Sequence, residues 1–397
     1  MGLSRRFQNL IVDCPYSGAQ WLRSIDLTRQ LFGDTAAART SSTIGQGLES
    51  AIVRDATSNT PAADSCNNPK NKRGLRIQME RIRFPSPILR FKCTQMSDQS
   101  NIDCFPVADR KVVMVDHARN TRLCDVDARS VMTMPNIHKP KSNPISLFVP
   151  SSGGGSLYVM EKYPGREKRG DGVGTQLSDQ FEAFVWGKSF ESPCHCHLLP
   201  PPPFVHDNDY FLTHPKITSY AVVGSDIYIS TYENGSYCLD TEMNSWLQLA
   251  KEMPPPFFSG KLEYVPELKL WFGFSTEPSR HLAAADLSSA SAMMDSQPQL
   301  IGDWNEFAPP EGWTEHQVPQ LVNLGSTRFC ISRFFDIRSM DDYEVIDSVI
   351  VFTGVEVMPV GHNGDGTGSG NGKVKLRMEK HKSICCVSGR THICSIF

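Results

Sequence analysis

Apolar residues along this chain come in short runs of strand length, about 5–8 residues, rich in β-branched and aromatic side chains. The clearest are Lys111–Val115, Ile145–Val149, Leu157–Met160, Phe181–Trp186, Ile227–Ser230, Lys269–Phe274, Arg328–Ile331 and Val349–Val357. Ile227–Ile229 and Lys269–Phe272 are nearly continuous apolar runs, the pattern of strands covered on both faces by stacked sheets. Pro and Gly fall between the runs rather than in one linker, which argues against long helices. One short helix is predicted, Ser288–Met294 after Asp286.

The strands group into repeats. Ile217–Pro256 reads ITSYAVVG, DIYIST, GSYCLDT, NSWLQL and MPPP, four strands in the length of one propeller blade. Gly224 and Asn234-Gly235 supply its first two turns. Asp240 starts the third, where its side chain caps turn amides, and Trp246 opens the last strand. A second copy spans Phe105–Pro135: aligning Asp125 with Asp240 brings Ser130 onto Ser245 and Val131 onto Trp246. Asp26 in SIDLTRQLF and Asp286 in AAADLS take the same place in two further echoes. Asp125, Asp240 and Trp246 are therefore read as structural.

The pattern predicts an all-β fold, a β-propeller of about six four-stranded blades. The blades are placed near 7–90, 100–137, 144–203, 217–256, 259–313 and 319–384, in one domain over 1–384 with a C-terminal tail at 385–397. Blade 1 is given the strands Asn9–Asp13, Leu22–Leu27 and Ile77–Phe84, and a strand near Val374–Met378 is expected to close the ring against it. Asp34–Arg73 and Gly361–Gly372 offer little apolar surface and are expected to be mobile. Pro164–Gln176 reads as a long hairpin loop.

The repeats resemble kelch blades, with Tyr, turn and Trp in the last two strands. They depart at the Gly-Gly doublet, whose place Ser230-Thr231 takes. The whole chain also resembles a plant family of unknown function that is expanded in the grasses. The resemblance is carried by MGLSRRFQNLIVD, RSIDLTRQ, DRKVV, MPNIHKPK, PISLFVPS, SDQFEAFV, HLLPPPPFV and KITSYAVV. It continues in YCLDT, GKLEYVPELKLWFG, HLAAADLS, DSQPQLIG, PPEGW and PQLVNLGSTRFCI, omitting 34–74 and the Gly-rich stretch after Pro359. It implies the propeller fold and supplies no catalytic residue. A first strand near Asn9 leaves no room for the F-box that precedes some plant propellers.

The 397 residues carry 40 basic and 43 acidic side chains, a net charge of −3, so no global field draws the chain to nucleic acid or an anionic membrane. No run reaches the roughly 18–20 apolar residues of a membrane-spanning helix. The N-terminus has no apolar core or cleavage site of a signal peptide, and Arg6 breaks a myristoylation pattern begun by Gly2. The 12 cysteines are accordingly expected as reduced thiols in cytoplasm or nucleus, not in a secreted protein. Asn234-Gly235-Ser236 is then a glycosylation sequon by pattern only.

Candidate chemistry is sparse. Cys194-His195-Cys196-His197 are all metal-ligand types, but in a strand the two Cys face one side and the two His the other. No metal or cofactor is assigned on that basis, and an ordinary blade strand is the preferred reading. Cys385-Cys386 and Cys394 are placed in a loose tail. The basic run Lys70, Lys72, Arg73, Arg76, Arg81 and Arg83 alternates with apolar residues from Leu75 onward, as a solvated strand face does. Pro200–Pro203 and Pro254–Pro256 read as connectors between blades. No Gly-x-Ser-x-Gly elbow, His-Glu-x-x-His or phosphate-binding Gly loop occurs. The leading functional expectation is a non-enzymatic module that binds a protein partner on its loop rim. The alternatives are a propeller enzyme with a site at the channel mouth, and a nuclear protein using residues 70–83.

Overall fold

The structure is a computed structural model. It describes residues 7–14, 19–32, 79–92, 102–108, 110–152, 154–168, 176–206, 215–232, 234–250, 258–276, 278–287, 299–338, 345–360, 375–387 and 393–396. The segments 34–73 and 361–372, expected as mobile, and the expected helix at 288–294 lie outside these residues, as does the basic run before Met79.

Six sheets follow one another along the described chain, each ordered from an inner to an outer strand. Blade 1 is Ile393–Ile396, Phe7–Cys14, Ala19–Asp26 and Leu89–Lys92. Blade 2 is Ile102–Ala108, Lys111–Asp116, Thr121–Asp125 and Ser130–Met134. Blade 3 is Pro144–Val149, Ser156–Glu161, Ser178–Trp186 and Cys194–Leu199. Blade 4 is Ile217–Val223, Asp226–Thr231, Ser236–Asp240 and Ser245–Ala250. Blade 5 is Phe258–Val265, Leu270–Ser275, Leu282–Asp286 and Gln299–Trp304. Blade 6 is Gln320–Gly325, Arg328–Arg338, Val345–Pro359 and Leu376–Val387. A parallel pairing of Ser219 with Gly260 and Tyr220 with Lys261 links the inner strands of blades 4 and 5.

The continuous apolar runs have a direct structural cause. In Lys111–Asp116, Val112 and Met114 pack toward blade 1 while Val113 and Val115 pack toward blade 3. Alternating side chains thus bury both faces of one strand. Each neighbouring pair of blades encloses such a cluster: Phe184 joins the blade 2–3 cluster, Phe181 and Ile229 meet in 3–4, Ala221 and Trp271 in 4–5, and Phe272 and Phe329 in 5–6. Leu10 and Phe352 then meet between blades 6 and 1, which closes the ring. Each fully buried Leu or Phe contributes about 1.5–3 kcal/mol. A polar bolt crosses the closing seam, where fully buried Gln8 donates to Ser332 Oγ at 3.0 Å and accepts from Cys330 Sγ at 3.2 Å.

The repeated Asp is the last residue of the third strand in blades 1, 2, 4 and 5: Asp26, Asp125, Asp240 and Asp286. Asp240 Oδ1 accepts the amides of Glu242 and Met243 at 2.9 and 2.8 Å. Asp125 Oδ1 accepts those of Asp127 and Ala128 at 3.0 and 2.9 Å. Asp125 pairs with Ser130, and Asp240 with Ser245, so the two turns are built alike.

Three expected placements are corrected. The ring is closed by Ile393–Ile396, which pairs with Leu10, Ile11 and Val12, and not by residues near 374–378. Leu376–Val387 instead forms the outer strand of blade 6, so the expected boundary at 384 falls inside a strand and Cys385 and Cys386 are buried in the core. The segment given to blade 1 at 77–84 contributes Glu80–Arg81, which runs parallel to that outer strand of blade 6. Leu89–Lys92 takes the blade 1 position, so 79–92 straps the outer edges of the seam. Within it Met79, Ile82 and Phe84 pack inward while Arg81 and Arg83 are exposed.

Candidate functional site

The inner strands of blades 2 to 6 surround a central channel of about 1110 Å³. In blade 3 the inner strand starts at Pro144, paired with Glu161 at the end of the second strand. The connector 138–143 therefore meets Lys162 at one mouth, and the Ile217 amide donates to the Lys162 carbonyl at 3.0 Å there. Asp103, Lys141, Lys162, Lys261, Glu263 and Tyr220 contribute to the wall. Among the described residues no histidine lines the channel.

Two buried acids hold the connector at this mouth. Glu182, in the third strand of blade 3, is fully buried. It accepts the amides of His138 and Lys139 at 2.8 and 3.3 Å and the ammonium of the buried Lys141. Burial works to raise Glu182, but the Lys141 ammonium and the His138 amide outweigh it and hold the carboxyl below its ordinary range. Glu161 Oε2 accepts the Ser142 amide at 2.8 Å, yet burial still pushes that carboxyl up. Burial, with the charge of Glu161 adding to it, pushes Asp103 up to about 6. Lys162 is lowered by burial and by the neighbouring Lys216. Tyr220 is pushed up to about 12 by burial and by Glu263.

Cys194, His195, Cys196 and His197 form the outer strand of blade 3. Both His are exposed and both Cys partly covered, so the four do not converge on one point. Cys196 instead meets residues distant in sequence. Its Sγ donates to Glu182 Oε2 at 3.3 Å and lies 3.8 Å from His138 Nδ1. Burial, then the Glu182 charge, pushes the Cys196 thiol up, so it is no ready nucleophile. Sequence spacing could not bring 138, 182 and 196 together; the MPNIHKPK and SDQFEAFV segments were prominent, but nothing in them marked a shared site. Trp246 is half-buried against the blade 3–4 cluster, and its Nε1 donates to the Pro200 carbonyl at 2.8 Å.

The ring of six four-stranded sheets around a channel with charged side chains in its wall defines a β-propeller. The chain belongs to the family described as "Protein of unknown function (DUF1668)", whose model matches residues 5–387. No curated protein matches it. Among solved structures it is similar to a structural genomics protein of unknown function from Bacteroides thetaiotaomicron VPI-5482. The identity is 13% and the TM-score 0.32, over 59% of this chain and 53% of that one, so the match spans about half of that protein's length. An auxiliary nutrient binding protein from the same organism is similar at 10% identity and TM-score 0.34, over 71% and 61% of the two chains. The β-propeller domain of Myceliophteria thermophila Cps50 (Swd1) is similar at 8% identity and TM-score 0.30, over 68% and 84%. No helix among the described residues is long and apolar enough to cross a membrane.

Proposed function

We propose that this chain is a non-enzymatic protein-interaction module that receives its partner beside the channel residue Lys162, on the neighbouring Tyr163 and Lys216. The observation that carries this is the division of labour at the mouth. The buried acids Glu161 and Glu182 are taken up in holding the connector backbone, while Tyr163 stands 50% exposed with the Lys216 ammonium 5.5 Å from its ring centroid. An exposed aromatic beside cations on a rigid rim is the type of residue that anchors protein interfaces. We place it in the cytoplasm or nucleus, where Cys104, Cys124, Cys194, Cys196, Cys238, Cys330, Cys385 and Cys386, all free thiols, would stay reduced.

The test uses the immobilised full chain, a plant extract and mass spectrometry, followed by affinity measurement with the partner recovered. Tyr163→Ala and Lys216→Glu should weaken that partner's binding at least about tenfold. Met132→Asp, an exposed position on the outer strand of blade 2, should leave it unchanged. Binding indifferent to both mouth variants would refute the placement. A second reading, an enzyme, rests on Asp103, whose carboxyl at about 6 sits beside the channel in the range useful for proton transfer. It requires a turnover that Asp103→Asn abolishes.

A further inference from the structure

The connector into blade 3 brings His138 against the two outer strands of that blade. His138 Nδ1 lies 2.6 Å from Glu182 Oε2, and Cys196 Sγ lies 3.3 Å from the same oxygen and 3.8 Å from Nδ1. We propose that His138, Glu182 and Cys196 bind one divalent cation of the zinc class, which clamps the blade 2–blade 3 connector onto blade 3.

The distances support this directly. Tetrahedral zinc with Zn–S near ~2.3 Å and Zn–N and Zn–O near ~2.0–2.1 Å sets ligand–ligand edges of ~3.6 Å to sulfur and ~3.3 Å between nitrogen and oxygen. Both sulfur edges already stand close to that value. Only the His138–Glu182 edge has to open, by roughly 0.7 Å on this geometry. His138 can supply that movement, because it sits on a connector with its side chain 45% exposed.

The bonding pattern adds a second argument. Glu182 Oε2 also accepts the His138 amide at 2.8 Å, so three donors crowd an oxygen that has two in-plane lone pairs. A cation would replace the Nδ1 and Sγ protons and leave the amide bond in place. The Sγ proton departs to solvent, the Nδ1 proton is exchanged through solvent for one on Nε2 so that the imidazole binds neutral, and water completes the coordination on the exposed side of His138. The other carboxylate oxygen is held by Lys141 Nζ and the Lys139 amide, which fix the ligand's orientation from behind. One nitrogen, one oxygen and one thiolate suit a borderline-soft ion and not magnesium or calcium. His195 and His197, their ring centroids 6.0 Å apart, are not part of the set.

Chelator-treated full-length protein titrated with Zn²⁺ should take up one equivalent. With Co²⁺ it should show a thiolate-to-cobalt charge-transfer band. Cys196→Ser should abolish the band and weaken Zn²⁺ at least about tenfold, and His138→Ala should weaken it comparably. A His195→Ala/His197→Ala variant should match the unaltered protein in both. Circular dichroism identifies any variant that has lost its sheets, and His138→Ala, on an exposed connector, keeps the question decidable if Cys196→Ser is such a variant. The proposal is overturned by an absence of stoichiometric uptake. It is equally overturned by uptake that survives Cys196→Ser and His138→Ala but is lost with the two strand histidines.

Discussion

Replacing Trp246 separates packing from hydrogen bonding at the join between blades 3 and 4. The indole is half-buried against the cluster containing Phe204, Ile217 and Tyr237, and its Nε1 donates to the Pro200 carbonyl, itself on a buried residue. An enclosed aromatic buries about 150–250 Å². Half of that, at 25 cal/mol per Å², gives about 2.5 kcal/mol of apolar contact. Leaving a buried carbonyl without its donor adds about 1–2 kcal/mol. Trp246→Ala should therefore destabilise by about 3–5 kcal/mol, with the residual cavity contributing. Trp246→Phe keeps most of the apolar contact and should lose only the hydrogen bond, about 1–2 kcal/mol. Urea denaturation of the three proteins, read at unchanged m-value, measures both differences. If Trp246→Phe equals the unaltered protein and Trp246→Ala shifts the midpoint only marginally, the indole is not part of the join.

Asp240→Ala frees two turn amides and should cost about 1–2 kcal/mol in the same assay, and Asp125→Ala, with its matching turn, a similar amount. Asp103 gives a pH signature. Its folded value near 6 lies above the ordinary 3.8, so the folded state holds the extra proton, and the stability it contributes is full below about pH 4 and lost as pH rises through 6. Asp103→Asn should accordingly gain about 1–2 kcal/mol at pH 7.5 and much less at pH 4.5, measured by denaturation at each pH. Arg333, in the second strand of blade 6, pairs with fully buried Glu306 through Nε and through Nη2 at 3.2 Å, and with Glu315 at 3.0 Å. Arg333→Met leaves Glu306 buried and unpaired and should cost about 3–5 kcal/mol, with part recovered in the double variant with Glu306→Gln.

Much of the blade order was legible because each blade must bury two faces. That requirement writes continuous apolar runs such as Lys269–Phe274 and repeats an Asp at the end of the third strand. The parts not legible are those whose cause lies far away in sequence. Ile393–Ile396 is four residues long and looks like a tail, since only its partner Phe7–Cys14, at the other end of the chain, makes it a strand. Glu80–Arg81 carries no apolar signature because it lies on an outer edge facing solvent. Alternation along Cys194–His197 correctly separates the two Cys from the two His. It cannot reveal that a connector residue, His138, and a third-strand acid, Glu182, meet Cys196, because no local pattern encodes that convergence.

The C-terminal strand closes a ring of six sheets and so makes the mouth one rigid surface. Hydrogen exchange of the first strand, compared between the full chain and a chain ending at residue 392, reads this closure. In the full chain Leu10, Ile11 and Val12 lie between two partner strands, Ala19–Asp26 on one side and Ile393–Ile396 on the other. Truncation should accelerate exchange of the amides on the side facing 393–396 by about 100-fold or more, while amides in blades 3 and 4 change far less. Unchanged protection across Phe7–Cys14 in the truncated chain would contradict the closed ring.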